Sequence, residues 1–160
     1  MAYGTVEGFA TYTGAKGYTV PSGDVGEALE RGSAYLDGMY GRRFSGSPTG
    51  GIEQTDEWPR TGAMTYHGEA LASDAVPTRI VQAAYEAALL ELANPGSLTT
   101  AAAPDQRKVL TKLDVMEWEV LPGKTPHLAD GPLASAIVST RIHGLVWPFL
   151  ASELPAVMVV

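Results

Sequence analysis

The chain contains no cysteine. That removes disulfides and thiolate zinc sites together, and it fits a reducing compartment without requiring one. Long hydrophobic runs are missing too. The most apolar stretch, "AIVSTRIHGLVWPFLASELPAVMVV", is broken by Arg141, His143, Pro148, Glu153 and Pro155, so no run approaches the ~20 residues of a membrane span. The N-terminal "MAYGTVEGFATY" has neither a basic region nor an apolar core, and so does not read as a signal peptide. Positive charge is scarce. Eleven Lys and Arg stand against 18 Asp and Glu, for a net charge of −7 and a pI near 4.8. An autonomous, non-specific DNA binder gains affinity with each phosphate it neutralises and is expected to be basic. Together these absences predict a soluble chain with no membrane partner.

What is present suits one domain with a real core: 160 residues, 45% of them hydrophobic and 18% charged. The 18 glycines and 11 prolines cluster outside the periodic segments, which predicts helices joined by sizeable loops. Residues 5–15 read as a short helix. Thr5 caps it, Val6, Phe9, Ala10 and Thr13 share a face, and Gly17 ends it. A second helix follows Ser22 or Asp24, either of which suits the cap. Its buried stripe is Val25, Leu29, Gly32, Leu36 and Met39. Gly26, Gly32 and Gly38 each weaken that helix by about 1 kcal/mol relative to alanine, unless they admit a neighbouring helix at close range.

Residues 45–76 form a long, turn-rich loop, although the "EWPRTGA" run and Tyr66 beside His67 argue against simple disorder. "VPTRIVQAAYEAALLELANPG" is the strongest helix, with a first-turn proline, a stop at Asn94-Pro95-Gly96 and a wide apolar face fit for the centre of a bundle. After a linker at 97–104 the period changes. Met116, Trp118 and Val120 alternate with Glu117 and Glu119, so residues 107–121 read as a β-strand or hairpin region. Pro132 opens a last helical candidate running to Trp147. The expected fold is therefore mainly α: a small helical bundle over residues 1–150, with a short β-strand or hairpin, a long central loop and an extended C-terminal arm at 151–160.

Motifs for catalysis are wanting. His67, His127 and His143 are isolated and follow no ligand spacing, "SPTGG" lacks the lysine of a phosphate loop, and no GxSxG elbow occurs. The reading is no enzyme, no metal and no cofactor. Arg42 and Arg43 follow a predicted helix end, where cations complement exposed carbonyls by about 0.3–1 kcal/mol each. The same pair could also serve an anion or a nucleic acid. The β-prone, uncharged end Val157, Met158, Val159 and Val160 either packs on its own domain or docks on a partner by strand addition; a sticky terminus on a loop-rich acidic chain favours the second.

Taken in order, "YGTVEGFATY", "GSAYLDGMYGRRFSG", "EWPRTGA" and "VPTRIVQAAYEAALLELA" resemble the head–tail connector (adaptor) family of long-tailed bacteriophages and gene transfer agents. Some members carry the label of a DnaT-like single-stranded DNA-binding protein. The resemblance covers residues 3–93 and continues more weakly through "VMEWEV" and "GLVWPFL". It implies a virion structural protein assembled in the bacterial host cytoplasm: a homo-oligomeric ring of twelve copies at the neck, docked on the portal protein, joined to a lower neck or tail-completion protein, with packaged DNA passing through. Leu154, Pro155, Ala156, Val157, Met158, Val159 and Val160 would then be the portal-binding arm. Arg42 and Arg43 would face a ring interface or the lumen, and Trp58, Pro59 and Arg60 would lie on an intersubunit or neck-facing loop. The alternative implied by the label is a replication accessory protein that binds single-stranded nucleic acid.

Overall fold

Thr5 opens the first helix in the expected way. Its hydroxyl accepts from the Gly8 N–H at 3.0 Å, helix α1 runs Val6–Lys16, and Gly17 closes it in the left-handed conformation at φ 68°. The computed structural model describes residues 2–99 and 139–151. Helix α2, Val25–Tyr40, is capped by Asp24, whose carboxylate accepts from the Glu27 N–H at 3.0 Å. Helix α3, Thr78–Ala93, and the short α4, Thr140–Val146, complete the bundle. A two-stranded antiparallel sheet, β1 Ser47–Pro48 and β2 Arg60–Thr61, pairs Ser47 with Thr61 and Pro48 with Arg60. The chain divides into two units, residues 1–99 with 138–160 and residues 100–137, and the described residues all belong to the first.

α3 is the central element. Ala83, Ala84, Ala87 and Ala88 are buried along it, and small side chains let α2 come close. At Gly32 of α2, an added Cβ would stand 3.0 Å from both the Ala84 carbonyl oxygen and the Ala88 nitrogen of α3. Gly32 is therefore a packing glycine, as the sequence allowed. Gly38 meets nothing and Gly26 only the Asp24 side chain, so neither plays that part. The main core gathers Tyr3, Leu36, Tyr40, Phe44, Trp58, Ile80, Ile142, Val146 and Phe149 between α2, α3, α4 and the central loop. Phe9, Leu29, Tyr85 and Leu92 form a second cluster under α1. Fully burying a side chain of this size stabilises the fold by roughly 1.5–3 kcal/mol.

The fold is mainly helical with a small hairpin, as expected, but the hairpin lies elsewhere than the sequence suggested. Strands β1 and β2 sit inside the 45–76 loop, which carries no period-2 signal. The alternating segment at 107–121 lies outside the described residues, as do Leu154, Pro155, Ala156, Val157, Met158, Val159 and Val160. The order of the loop comes from specific tethers. Arg60 is buried, donating from Nε to the Ser45 carbonyl at 2.9 Å, from Nη2 to the Gly46 carbonyl at 2.8 Å and from Nη1 to the Glu57 carbonyl at 3.1 Å, while pairing with the Glu57 carboxylate. Gln54 Nε2 adds bonds to the Asp56 and Pro59 carbonyls.

Candidate nucleic-acid interface

Three chain segments meet beyond the end of α4. Phe44 forms an antiparallel bridge with Leu150, the Ser45 N–H donates to the Phe149 carbonyl at 3.0 Å, and the Ala151 N–H donates to the Arg43 carbonyl at 2.7 Å. From the other side, the Tyr66 N–H donates to the Pro148 carbonyl at 2.6 Å. Ser45 Oγ ties the outer segments together, donating to the Met64 carbonyl at 2.6 Å and accepting its N–H at 3.0 Å. Beneath the junction Phe44, Trp58 and Phe149 pack edge to face, with centroids 5.4 Å and 5.9 Å apart. Such pairs add about 0.5–1.5 kcal/mol beyond area burial, so the junction stands on a rigid base.

Its outer face carries aromatics that the core does not claim. Tyr66 is 61% exposed and Trp147 40% exposed, yet their rings meet at 5.2 Å with a 61° interplanar angle. The exposed His67 sets its ring edge-on to Tyr66 at 5.5 Å, and Met64 is exposed nearby in the chain. The turn that holds Tyr66 and His67 is closed by three bonds: Thr65 N–H to the Glu69 carbonyl at 2.8 Å, Gly68 N–H to the Thr65 carbonyl at 2.9 Å, and Glu69 N–H to Thr65 Oγ1 at 3.2 Å. Exposed rings in mutual contact on a hydrogen-bonded backbone are open to a ligand. Flat π faces are what bases of a single strand stack upon.

Arg42 and Arg43 occupy the turn Gly41–Arg43 that leads from α2 into this junction, and both are exposed. Among the described residues neither forms an ion pair, so both charges face solvent. Glu69, also exposed, is the opposing charge in the 65–69 turn. Trp58 and Arg60 are placed otherwise than a surface loop requires. Trp58 is 2% exposed and Arg60 5%, and Pro59 is half-buried. Their side chains close the core and pin the loop, where the sequence reading had offered them to a neighbour. Among the described residues no three His, Asp or Glu side chains gather to hold a metal ion, and no helix is long and apolar enough to cross a membrane.

A protein-family model described as "Putative DnaT-like ssDNA binding protein" matches residues 2–157. The chain belongs to this family. No curated protein and no solved structure matches the chain at a significant level. The family match overturns the expectation of a portal-docked head–tail adaptor, because a model spanning nearly the whole chain outweighs four short motifs, and its description concerns single-stranded DNA. The structure shows why those motifs misled. Tyr35, Tyr40, Trp58 and Arg60, which give "YLDGMYGRRF" and "WPRTG" their distinctive look, are all buried. They report how this DnaT-like chain packs, and packing is silent about what the surface meets. The Tyr66–Trp147 pair escaped the sequence reading because its members lie far apart in the chain; Tyr66 beside His67 was the one local hint.

Proposed function

We propose that the protein binds single-stranded DNA, without catalysis, on the platform formed by Tyr66, His67 and Trp147. The observation that carries this reading is the exposed Tyr66–Trp147 pair, fixed on a hydrogen-bonded junction and turned away from the core. The family description supports it. Bases stack on the two rings, and Arg42 and Arg43, unpaired among the described residues, offer positive charge in the turn that leads into the junction. Base–aromatic stacking contributes about 1–3 kcal/mol per base, enough for useful affinity despite a net charge of −7.

Titration of fluorescently labelled oligo-dT by anisotropy tests the reading. Tyr66→Ala and Trp147→Ala should each weaken binding by about 10- to 100-fold. The thermal midpoint should change little, because neither ring lies in the core. Unchanged affinity in the double variant would remove the platform as the site.

A further inference from the structure

Helix α4 joins the platform to a second feature. A cleft of about 470 Å³ opens beside its first turn, walled by Pro21, Leu89 and Leu90, with Tyr18, Glu86 and Arg141 at its polar end. That volume lies within the ~300–1,000 Å³ typical of small-ligand pockets. The Glu86 side chain is only 8% exposed. Its Oε1 accepts from the Tyr12 hydroxyl at 2.7 Å and the Tyr18 hydroxyl at 3.0 Å. Among the described residues its Oε2 has only Arg141 Nη1, at 3.9 Å, beyond hydrogen-bond reach. Arg141 is otherwise engaged, donating to the Tyr18 hydroxyl at 3.2 Å with its guanidinium 5.4 Å from the Tyr18 ring centre. Glu86 thus lines the cleft with one carboxylate oxygen that has no described donor within hydrogen-bond reach, an acceptor open to whatever enters.

The cleft and the platform share one exposed face of α4. Thr140, Gly144 and Trp147 are exposed at i, i+4 and i+7, while Ile142 and Val146 are buried on the other side. Thr140 lines the cleft, Trp147 belongs to the platform, and a Cβ at Gly144 would meet open space. At about 1.5 Å per residue, the face from Thr140 to Trp147 is roughly 10 Å long.

We propose that the cleft is a base-reading pocket for the same strand. One nucleobase enters between Pro21 and the Leu89–Leu90 wall and donates its exocyclic amino group to Glu86 Oε2, while Arg141 takes an adjoining phosphate. The inference rests on the single-strand reading above and adds a preference to it. Cytosine presents an amino donor where thymine presents a carbonyl, and two acceptors facing each other repel. Glu86 therefore selects cytosine over thymine.

The test compares oligo-dC and oligo-dT of about twelve nucleotides, within the site sizes of single-strand binders, at neutral pH. The wild-type chain should bind oligo-dC about tenfold more tightly. In Glu86→Gln the two tyrosine hydroxyls keep the amide oxygen, so the amide nitrogen replaces Oε2 and becomes a donor. The preference should then reverse toward oligo-dT. Gly144→Leu, at an open and exposed position, keeps the fold and blocks the track. It should lower oligo-dC affinity to the oligo-dT level, whatever Glu86→Gln does to folding. Equal wild-type affinity for the two strands, or an unchanged preference in folded Glu86→Gln, would overturn the pocket. If both strands bind equally and the Tyr66 and Trp147 variants still lose them, the platform survives alone. If neither strand binds, both readings fall.

Discussion

Asp37 shows how one residue can set a pH dependence. Its Oδ1 accepts from the Tyr3 hydroxyl at 2.6 Å and its Oδ2 from the Glu57 N–H at 3.3 Å, while the Trp58 N–H donates to the same Tyr3 oxygen at 3.1 Å. The carboxylate thus joins the N-terminal segment, α2 and the central loop. Burial pushes its pKa from 3.8 to about 6, outweighing the two hydrogen bonds that favour the charged form, and the Asp56 and Glu57 charges add to the rise. A carboxyl raised by folding contributes stability fully below about 3.8 and loses it as the pH climbs through about 6. At neutral pH Asp37 is therefore a cost. Asp37→Asn should raise the thermal midpoint relative to wild type near neutrality, with the advantage shrinking as the pH falls below 5. Melting curves at several pH values check this, and parallel curves for the two proteins would contradict it. Arg31 is half exposed, but it pairs at 3.3 Å with Glu91, whose side chain is 3% exposed and whose Oε2 has no partner among the described residues. Arg31→Ala should therefore cost about 3 kcal/mol in denaturant unfolding by stripping a buried carboxylate of its counter-charge.

Between helices, two glycines of α2 make opposite demands. Gly32→Ala forces a methyl against the α3 backbone at 3.0 Å, and backbone cannot swing aside as a long side chain does. Overpacking of this kind costs about 1–3 kcal/mol, more than the ~1 kcal/mol alanine returns in helix propensity. Gly38→Ala meets nothing within 4 Å and should stabilise by about 0.4–1 kcal/mol. Urea unfolding of the two variants should move the midpoints in opposite directions. The same contrast marks what the sequence disclosed. α1, α2 and α3 were legible because caps, stop signals and the 3.6-residue stripe are local: Thr5, Asp24 and Gly17 act within a few residues of where they stand. The order of the 45–76 loop was not, because it rests on Arg60 reaching the Ser45 and Gly46 carbonyls and on Trp58 entering between Phe44 and Phe149. No periodicity announces such contacts. The sequence supplied Gly32 as a candidate for close packing, but only the position of α3 separates it from Gly38.

Over the whole molecule, charge and stacking pull in different directions. A body of net charge −7 repels a polyanion at long range, so any single-strand affinity must come from contacts shorter than the ~10 Å Debye length at 0.1 M salt. On the proposed reading the platform supplies such contacts through its rings, and among the described residues only Arg42 and Arg43 lead into its junction as unpaired cations. Single-strand binding loses about 0.7 in log K per decade of salt for each phosphate neutralised. Arg42 and Arg43, with Arg141 at the cleft as a third, therefore predict a slope no steeper than about −2.1, shallower than a basic groove would give. Charge alone argues against a basic-groove DNA binder, but composition counts cations and is blind to aromatics that tertiary structure brings together. Arg42→Ala with Arg43→Ala should flatten the slope by about 1.4 while leaving the Tyr66–Trp147 contribution in place. Anisotropy titrations across a tenfold salt range decide the point. A slope steeper than about −3 in wild type would mean that cations elsewhere in the chain hold the strand, and that the aromatic pair is secondary.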